Sequence, residues 1–255
     1  MRAYLAFTKK EFTENWRTYK LPILLVVFLL FGMMSPLLAK LTPELLKSLS
    51  DTGGVVITLP EPTAMDAWAQ FFKNVGQMGM LAIIIVFSGL MATEFSKGTL
   101  VNMLTKGMKR HTVVLSKLTA ATVIWTVSFL LCLAVSYAYT AYFWDMGTLH
   151  YAFLSFFSLW LFGEFLISLL IFGGILFKSL MGSLLFCGGV IVAMTILNII
   201  PNITRYNPSS LSGATLELLN GQKGLSEFMP AFVICAVLII VFSAASITLF
   251  NKKQI

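Results

Sequence analysis

Six apolar runs divide the chain, and polar residues collect between them instead of alternating within them. The runs are Leu21–Ala39, Val75–Thr93, Leu118–Phe143, Tyr151–Phe177, Met181–Ile200 and Pro230–Phe250. Each is close to the ~20 helical residues that cross a hydrocarbon core about 30 Å thick. Helix is the required form, because lipid offers no partner to free backbone N–H and C=O groups. The pattern predicts an all-α membrane protein with six transmembrane helices, a single membrane domain over residues 1–255.

The polar stretches carry their own signals. In residues 1–20, Leu5, Phe12, Trp16 and Tyr19 share one narrow arc at 100° per residue, with Arg2, Lys9, Arg17 and Lys20 beside it. That predicts an amphipathic helix lying at the inner membrane surface. In Lys40–Asn74, Thr42 reads as an N-cap, with Pro43 at the first helical position and Leu45, Leu46 and Leu49 as the apolar side. Gly53-Gly54 would end that helix, Val55–Leu59 would form a short strand, and Met65–Phe72 would lead back as a helix. Between Pro201 and Met229 the grammar repeats, with Asn207 as cap, Pro208 in the first turn and Gly221 as stop. Leu211, Ala214 and Leu218 form a stripe there that either lies on the outer membrane surface or roofs a cavity.

Composition agrees with a bilayer as solvent. Hydrophobic residues make up 58% of the 255 and charged residues 11%, against about 25% charged in soluble domains. The net charge of +7 sits in short segments between apolar runs, so it signals topology and not nucleic acid. Alternating the six spans places 13 of the 18 Lys and Arg residues on the side of the two chain ends. The positive-inside rule then predicts both termini in the cytoplasm. The first run follows twenty polar and aromatic residues and lacks a clean A-x-A site, so it reads as a retained span. Cys132, Cys187 and Cys235 all fall within apolar runs and read as small buried hydrophobes. Ala134-x-x-x-Ala138, Gly173-Gly174 and Gly189-x-x-x-Ala193 allow close helix packing, within one subunit or in a dimer.

Chemistry of its own is not legible. There is no G-x-x-x-x-G-K-[ST] phosphate loop; Gly107-Met108-Lys109 and Gly221-Gln222-Lys223 lack its spacing. His111 and His150 fall on opposite sides of the predicted membrane, so they share no metal site and serve no intramembrane serine. The expectation is a chain that is not an enzyme. Glu164, in the middle of the fourth run, is the one ionisable residue deep in a span. It reads either as a substrate-path or proton-coupling carboxylate, or as a structural carboxyl bonded to a Ser or Thr of a neighbouring span.

The interior segment with the strongest positive excess is Glu94–Lys117, EFSKGTLVNMLTKGMKRHTVVLSK. Gly98-Thr99 offers a break and a cap, Leu100, Val101 and Leu104 an apolar side, and Lys106, Lys109 and Arg110 a basic end. Either a short helix lies across the membrane face and inserts in a partner's groove, or a topogenic loop touches only headgroups. Glu94-x-x-x-Gly98-Thr99, a short helix, then Lys109-Arg110 and Lys117 resembles the permease subunit of bacterial ABC exporters of the type-2 family. Lys10-Glu11 and Arg17 look like that family's interface helix, and Tyr206-Asn207-Pro208 with Leu211 like its outer re-entrant helices. Relatives often carry a proline before the basic pair, where this chain has Gly107-Met108.

The resemblance implies a permease in the bacterial cell membrane that pairs with a second, identical or paralogous, permease subunit. It implies docking on a separate ABC ATPase, which would hold the ATP and Mg2+, through Glu94, Gly98, Thr99, Leu104, Lys109, Arg110 and Lys117, supported by Phe12, Trp16 and Arg17. The competing readings are an ion- or proton-coupled secondary transporter using Glu164, and a membrane assembly factor that transports nothing.

Overall fold

The computed structural model describes residues 2–53, 61–96, 98–105, 107–147, 149–213, 215–222 and 224–253. Among these there is no strand, and six helices are long and apolar enough to cross a membrane. The protein is an all-α, multi-pass membrane protein. The strand expected over Val55–Leu59, the Gly54 stop, the side chains of Val101, Leu45, Leu46 and Leu49, and Lys97, Lys106, Ala214 and Lys223 lie outside the described residues.

Helix α1 (Arg2–Arg17) bends at Thr18 and Tyr19, the latter with φ +60°, into α2 (Lys20–Gly53). No break occurs at Thr42-Pro43, which corrects the expected cap. Thr42 sits inside an unbroken helix and donates its hydroxyl back to the Leu38 carbonyl at 2.5 Å. Each of Pro36 and Pro43 deletes one backbone bond, and the flanking apolar turns keep the remainder of the ladder intact.

The second span is longer than its apolar run. Helix α3 (Ala64–Lys73), a π-helical turn (Asn74–Gly79), α4 (Met80–Phe87) and α5 (Gly89–Ser96) form one rod over Ala64–Ser96. The expected separate helix at Met65–Phe72 is the first part of that rod. Its start is held by the Asp66 carboxylate, which accepts the Thr63 N–H and hydroxyl, each at 2.8 Å. The π-helical turn is tied to α2 by Asn74 Nδ2 donating to Ser35 Oγ at 3.1 Å.

A short helix α6 (Thr99–Thr105) precedes α7 (Arg110–Phe143), α8 (Ala152–Phe177) and α9 (Leu180–Leu197). Three short far-side helices follow: α10 (Pro201–Thr204), α11 (Ser210–Gly213) and α12 (Thr215–Leu219). The last span is α13 (Leu225–Lys252). Helix α8 is the central pillar, with 83% of its apolar window buried, against 11% for α9 and for α13. A pillar so enclosed must admit its neighbours closely. At Gly163 a Cβ would lie 2.5 Å from the Trp125 ring, so only glycine fits under that indole.

Of the small-residue pairs, Gly173 and Gly174 are buried against Phe186 and Met91. Ala134, Ala138, Gly189 and Ala193 face outward. The three cysteines are buried and unpaired. In the far-side segment Asn207 does cap: its Oδ1 accepts the Ser209 N–H at 3.1 Å. Gly221, at φ +70°, ends α12 as expected. Leu211 and Leu218 are buried, so they do not lie on the outer surface; from the same segment Ser209, Ser212, Gly213 and Leu216 line a cavity.

Candidate functional site

Five charged residues of the near side, Lys10, Glu11, Glu14, Glu94 and Lys117, converge on one largely buried node. Helix α1 presents Tyr4, Phe7, Glu11 and Asn15 inward, at helical spacing, against α7. Tyr4 OH lies 2.7 Å from Thr119 Oγ1 and fixes the helix along the start of α7. Asn15 Nδ2 donates to the Glu11 carbonyl at 2.8 Å, which spares a buried amide from standing unpaired. That leaves the Glu11 carboxylate, 2% exposed, aimed at α7.

Lys117 answers it. Its ammonium lies 3.0 and 2.9 Å from the two Glu11 oxygens and 3.0 Å from Glu94 Oε1. Lys10 adds contacts to Glu11 at 3.1 Å, Glu14 at 2.5 Å and Glu94 at 3.2 Å. The other Glu94 oxygen accepts the Thr99 hydroxyl at the head of α6. Buried charges are tolerated only when paired and hydrogen-bonded, and this node meets that condition. Burial pulls the Lys10 ammonium down; the Glu14 hydrogen bond and the charges of Glu11 and Glu94 outweigh it and hold it above the ordinary lysine value. The Glu11, Glu14 and Glu94 carboxylates are close enough to hold a metal ion. Two ammonium groups already stand among them and neutralise most of their charge.

The node joins four elements: α1, the end of the second span, α6 and the start of α7. Gly98 makes the corner between α5 and α6 at φ +64°, a conformation that costs glycine nothing. Leu100 is fully buried and seats α6. Thr99 and Leu104 are half-buried and Lys109 is exposed. On α1, Phe12 is half-buried against the core, and Trp16 and Arg17 are exposed. Of the expected docking residues, Lys109, Trp16 and Arg17 are therefore exposed and Thr99, Leu104 and Phe12 half-buried. Glu94 and Lys117 face inward and can act only by placing α6.

Arg110 stands apart from this node. It donates to the carbonyls of Phe250, Asn251 and Lys253 at 2.7, 3.2 and 2.5 Å, capping the end of α13. Lys253 in turn donates to the Ile175 and Leu176 carbonyls at the end of α8, at 2.5 Å each. Burial and the neighbouring Lys178 charge depress the Lys253 ammonium.

Sequence reasoning left Glu11 out of the candidate site and missed the carbonyl-capping role of Arg110. For Glu11 the usable signal was an acid on the other flank of the apolar arc from Arg2, Lys9, Arg17 and Lys20. For Arg110 there was none, because its partners lie about 140 residues away.

Glu164 is buried in α8 and belongs to neither group. Its Oε2 accepts the Thr122 hydroxyl at 2.8 Å, and its Oε1 has no partner among the described residues. It faces α7, away from a cavity of about 570 Å3 that opens between the second span, α8, α9 and the far-side helices.

Asn198 and Ser209 stand in the far-side wall of that cavity, and Asn207 holds Asn198 from behind. Asn207 Nδ2 donates to the Met194 carbonyl at 2.6 Å and to Asn198 Oδ1 at 2.7 Å, and Asn198 Nδ2 donates to Ser209 Oγ at 2.7 Å. The Tyr206-Asn207-Pro208 signature thus pins the short helices to the end of α9.

Comparison with known proteins returns a relative over almost the full length. The chain is 23% identical over 253 residues, 95% of this chain and 96% of the relative, to the uncharacterized transmembrane protein YxlG of Bacillus subtilis (strain 168). No protein-family model matches the chain.

Proposed function

We propose that the protein is the membrane-spanning, non-catalytic subunit of an ATP-driven ABC exporter of the type-2 permease family. It would sit in a bacterial cell membrane with both chain ends in the cytoplasm, as the excess of Lys and Arg on that side favours. A second permease subunit would complete the translocation path, and a separate ATPase would bind ATP and Mg2+.

One observation carries this reading: Glu11, Glu94 and Lys117 tie α6 to α1 and to the ends of two spans. A push on α6 by a partner is then delivered to those spans as one rigid unit. The test is co-expression with a bacterial ABC ATPase subunit, followed by co-purification and ATPase assay. Leu104→Asp with Lys109→Glu should abolish association while leaving the melting temperature unchanged. Association and stimulated ATPase activity that survive both changes refute the docking face.

The unpartnered Oε1 of Glu164 favours a second reading, an ion- or proton-coupled transporter. Under it, Glu164→Gln abolishes gradient-driven transport in the absence of ATP. Under the first reading it does not.

A further inference from the structure

The cavity between the second span and α9 is graded along the membrane normal. Lys73, Gln77, Asn198, Ser209 and Ser212 line its far-side mouth. Met80, Ile84, Phe162, Leu166 and Ile191 line its depth. Asn198 and Ser209 are bonded to each other. Lys73 and Gln77 lie on the same helical face, are exposed, and have no side-chain hydrogen bond or ion pair among the described residues. Among the described residues no acidic side chain lines the cavity, and Lys73 is the one cation that does.

The depth scale can be read from the helix. Lys73 precedes Glu94 by 21 residues, about 31 Å at 1.5 Å per residue, close to one hydrocarbon core. Glu94 is at the near interface, so the Lys73 ammonium stands at the far one. Ile84 is 11 residues further in, about 16 Å, or half the core. The cavity therefore runs from headgroup level to the midplane, the depth of one leaflet. Its volume of about 570 Å3 lies within the ~300–1,000 Å3 range of ligand sites.

We propose that this cavity binds an anionic amphiphile, with a carboxylate or phosphate head on Lys73 and Gln77 and an acyl chain along Met80, Ile84, Leu166 and Ile191. An ammonium and an amide at interface level recognise oxyanions, and the apolar depth excludes a fully polar solute. The head can belong to a free single-chain amphiphile or to a phospholipid of the far leaflet. This site stands independently of the ATPase-docking reading.

The test uses the purified full chain in phosphatidylcholine nanodiscs with a diazirine-bearing palmitate, mapped by mass spectrometry. Adducts should concentrate at Ile84, Leu166 and Ile191, and Lys73→Glu should reduce them at least tenfold with unchanged melting. Unlabelled palmitate should compete at least tenfold better than neutral monopalmitoylglycerol. Competition by palmitate alone assigns a free amphiphile, and equal competition by added phosphatidylglycerol assigns a lipid; both uphold the site. Adducts as frequent at the outward-facing Leu185 and Ile240, or indifferent to Lys73→Glu, overturn it. No ATPase is present, so failure here leaves the docking reading untouched, and lost ATPase association leaves the cavity untouched.

Discussion

Lys117→Met is the sharpest perturbation of the near-side node. The Lys117 side chain is 3% exposed, and its partners Glu11 and Glu94 are 2% and 4% exposed. Two ammonium groups face three carboxylates, so the parent node carries a net charge of −1 and the variant −2. Removing one member of a buried pair costs about 3–5 kcal/mol, because the desolvated partner stays charged. Lys10 cannot take over: its side chain is 38% exposed and its contacts are screened. At about 2–4 °C per kcal/mol, the loss in detergent melting temperature is about 6–20 °C. Lys117→Arg should keep most of the stability, since it keeps the charge. The triple change Glu11→Gln, Glu94→Gln, Lys117→Met should recover more than half of the loss, because nothing charged is left unpaired. Differential scanning fluorimetry on the purified protein reads all four. A Lys117→Met protein that melts with the parent refutes a buried, charge-tied α1.

Arg110→Ala removes three charge-assisted bonds to the end of α13. Each such bond is worth about 1.5–3 kcal/mol, so one bond's worth of fraying raises maleimide labelling of a cysteine placed at the buried Ser246 about 10- to 150-fold. Thr122→Val leaves both Glu164 oxygens unpartnered and should destabilise by about 1–3 kcal/mol. Adding Glu164→Leu should reverse that loss, and an unreversed loss in melting would show that the carboxyl has another partner. The Lys253 ammonium is held below the ordinary lysine value and Lys10 above it. As pH rises, Lys253 loses its proton first and should be acetylated well before Lys10 by acetic anhydride; the reverse order by mass spectrometry contradicts both assignments.

Much of the architecture is legible from local pattern. The six runs reappear as six spans, and Asn207 and Gly221 start and stop far-side turns where their backbone preferences say they should. The misplaced boundaries share one cause. Thr42-Pro43 is a good cap by local chemistry, yet α2 runs through it because a continuous ladder outweighs one deleted bond. The Met65–Phe72 helix merges with the second span for the same reason. In residues 1–20 the arc of Leu5, Trp16 and Tyr19 faces outward as its amphipathicity requires, but the adjoining face, with Glu11, does the anchoring.

By itself the sequence determined the solvent, the number of spans and the segments that would meet on the near side. Those follow from hydropathy and charge summed over about 20 neighbouring residues. Only the tertiary structure decided that Glu94 and Lys117 turn inward, that Arg110 caps a helix end instead of facing a partner, and that Glu164 looks away from the cavity. These are pairings across 23 to 143 residues of chain. They depend on which helix packs beside which, and a buried charge settles wherever that packing supplies its counter-charge.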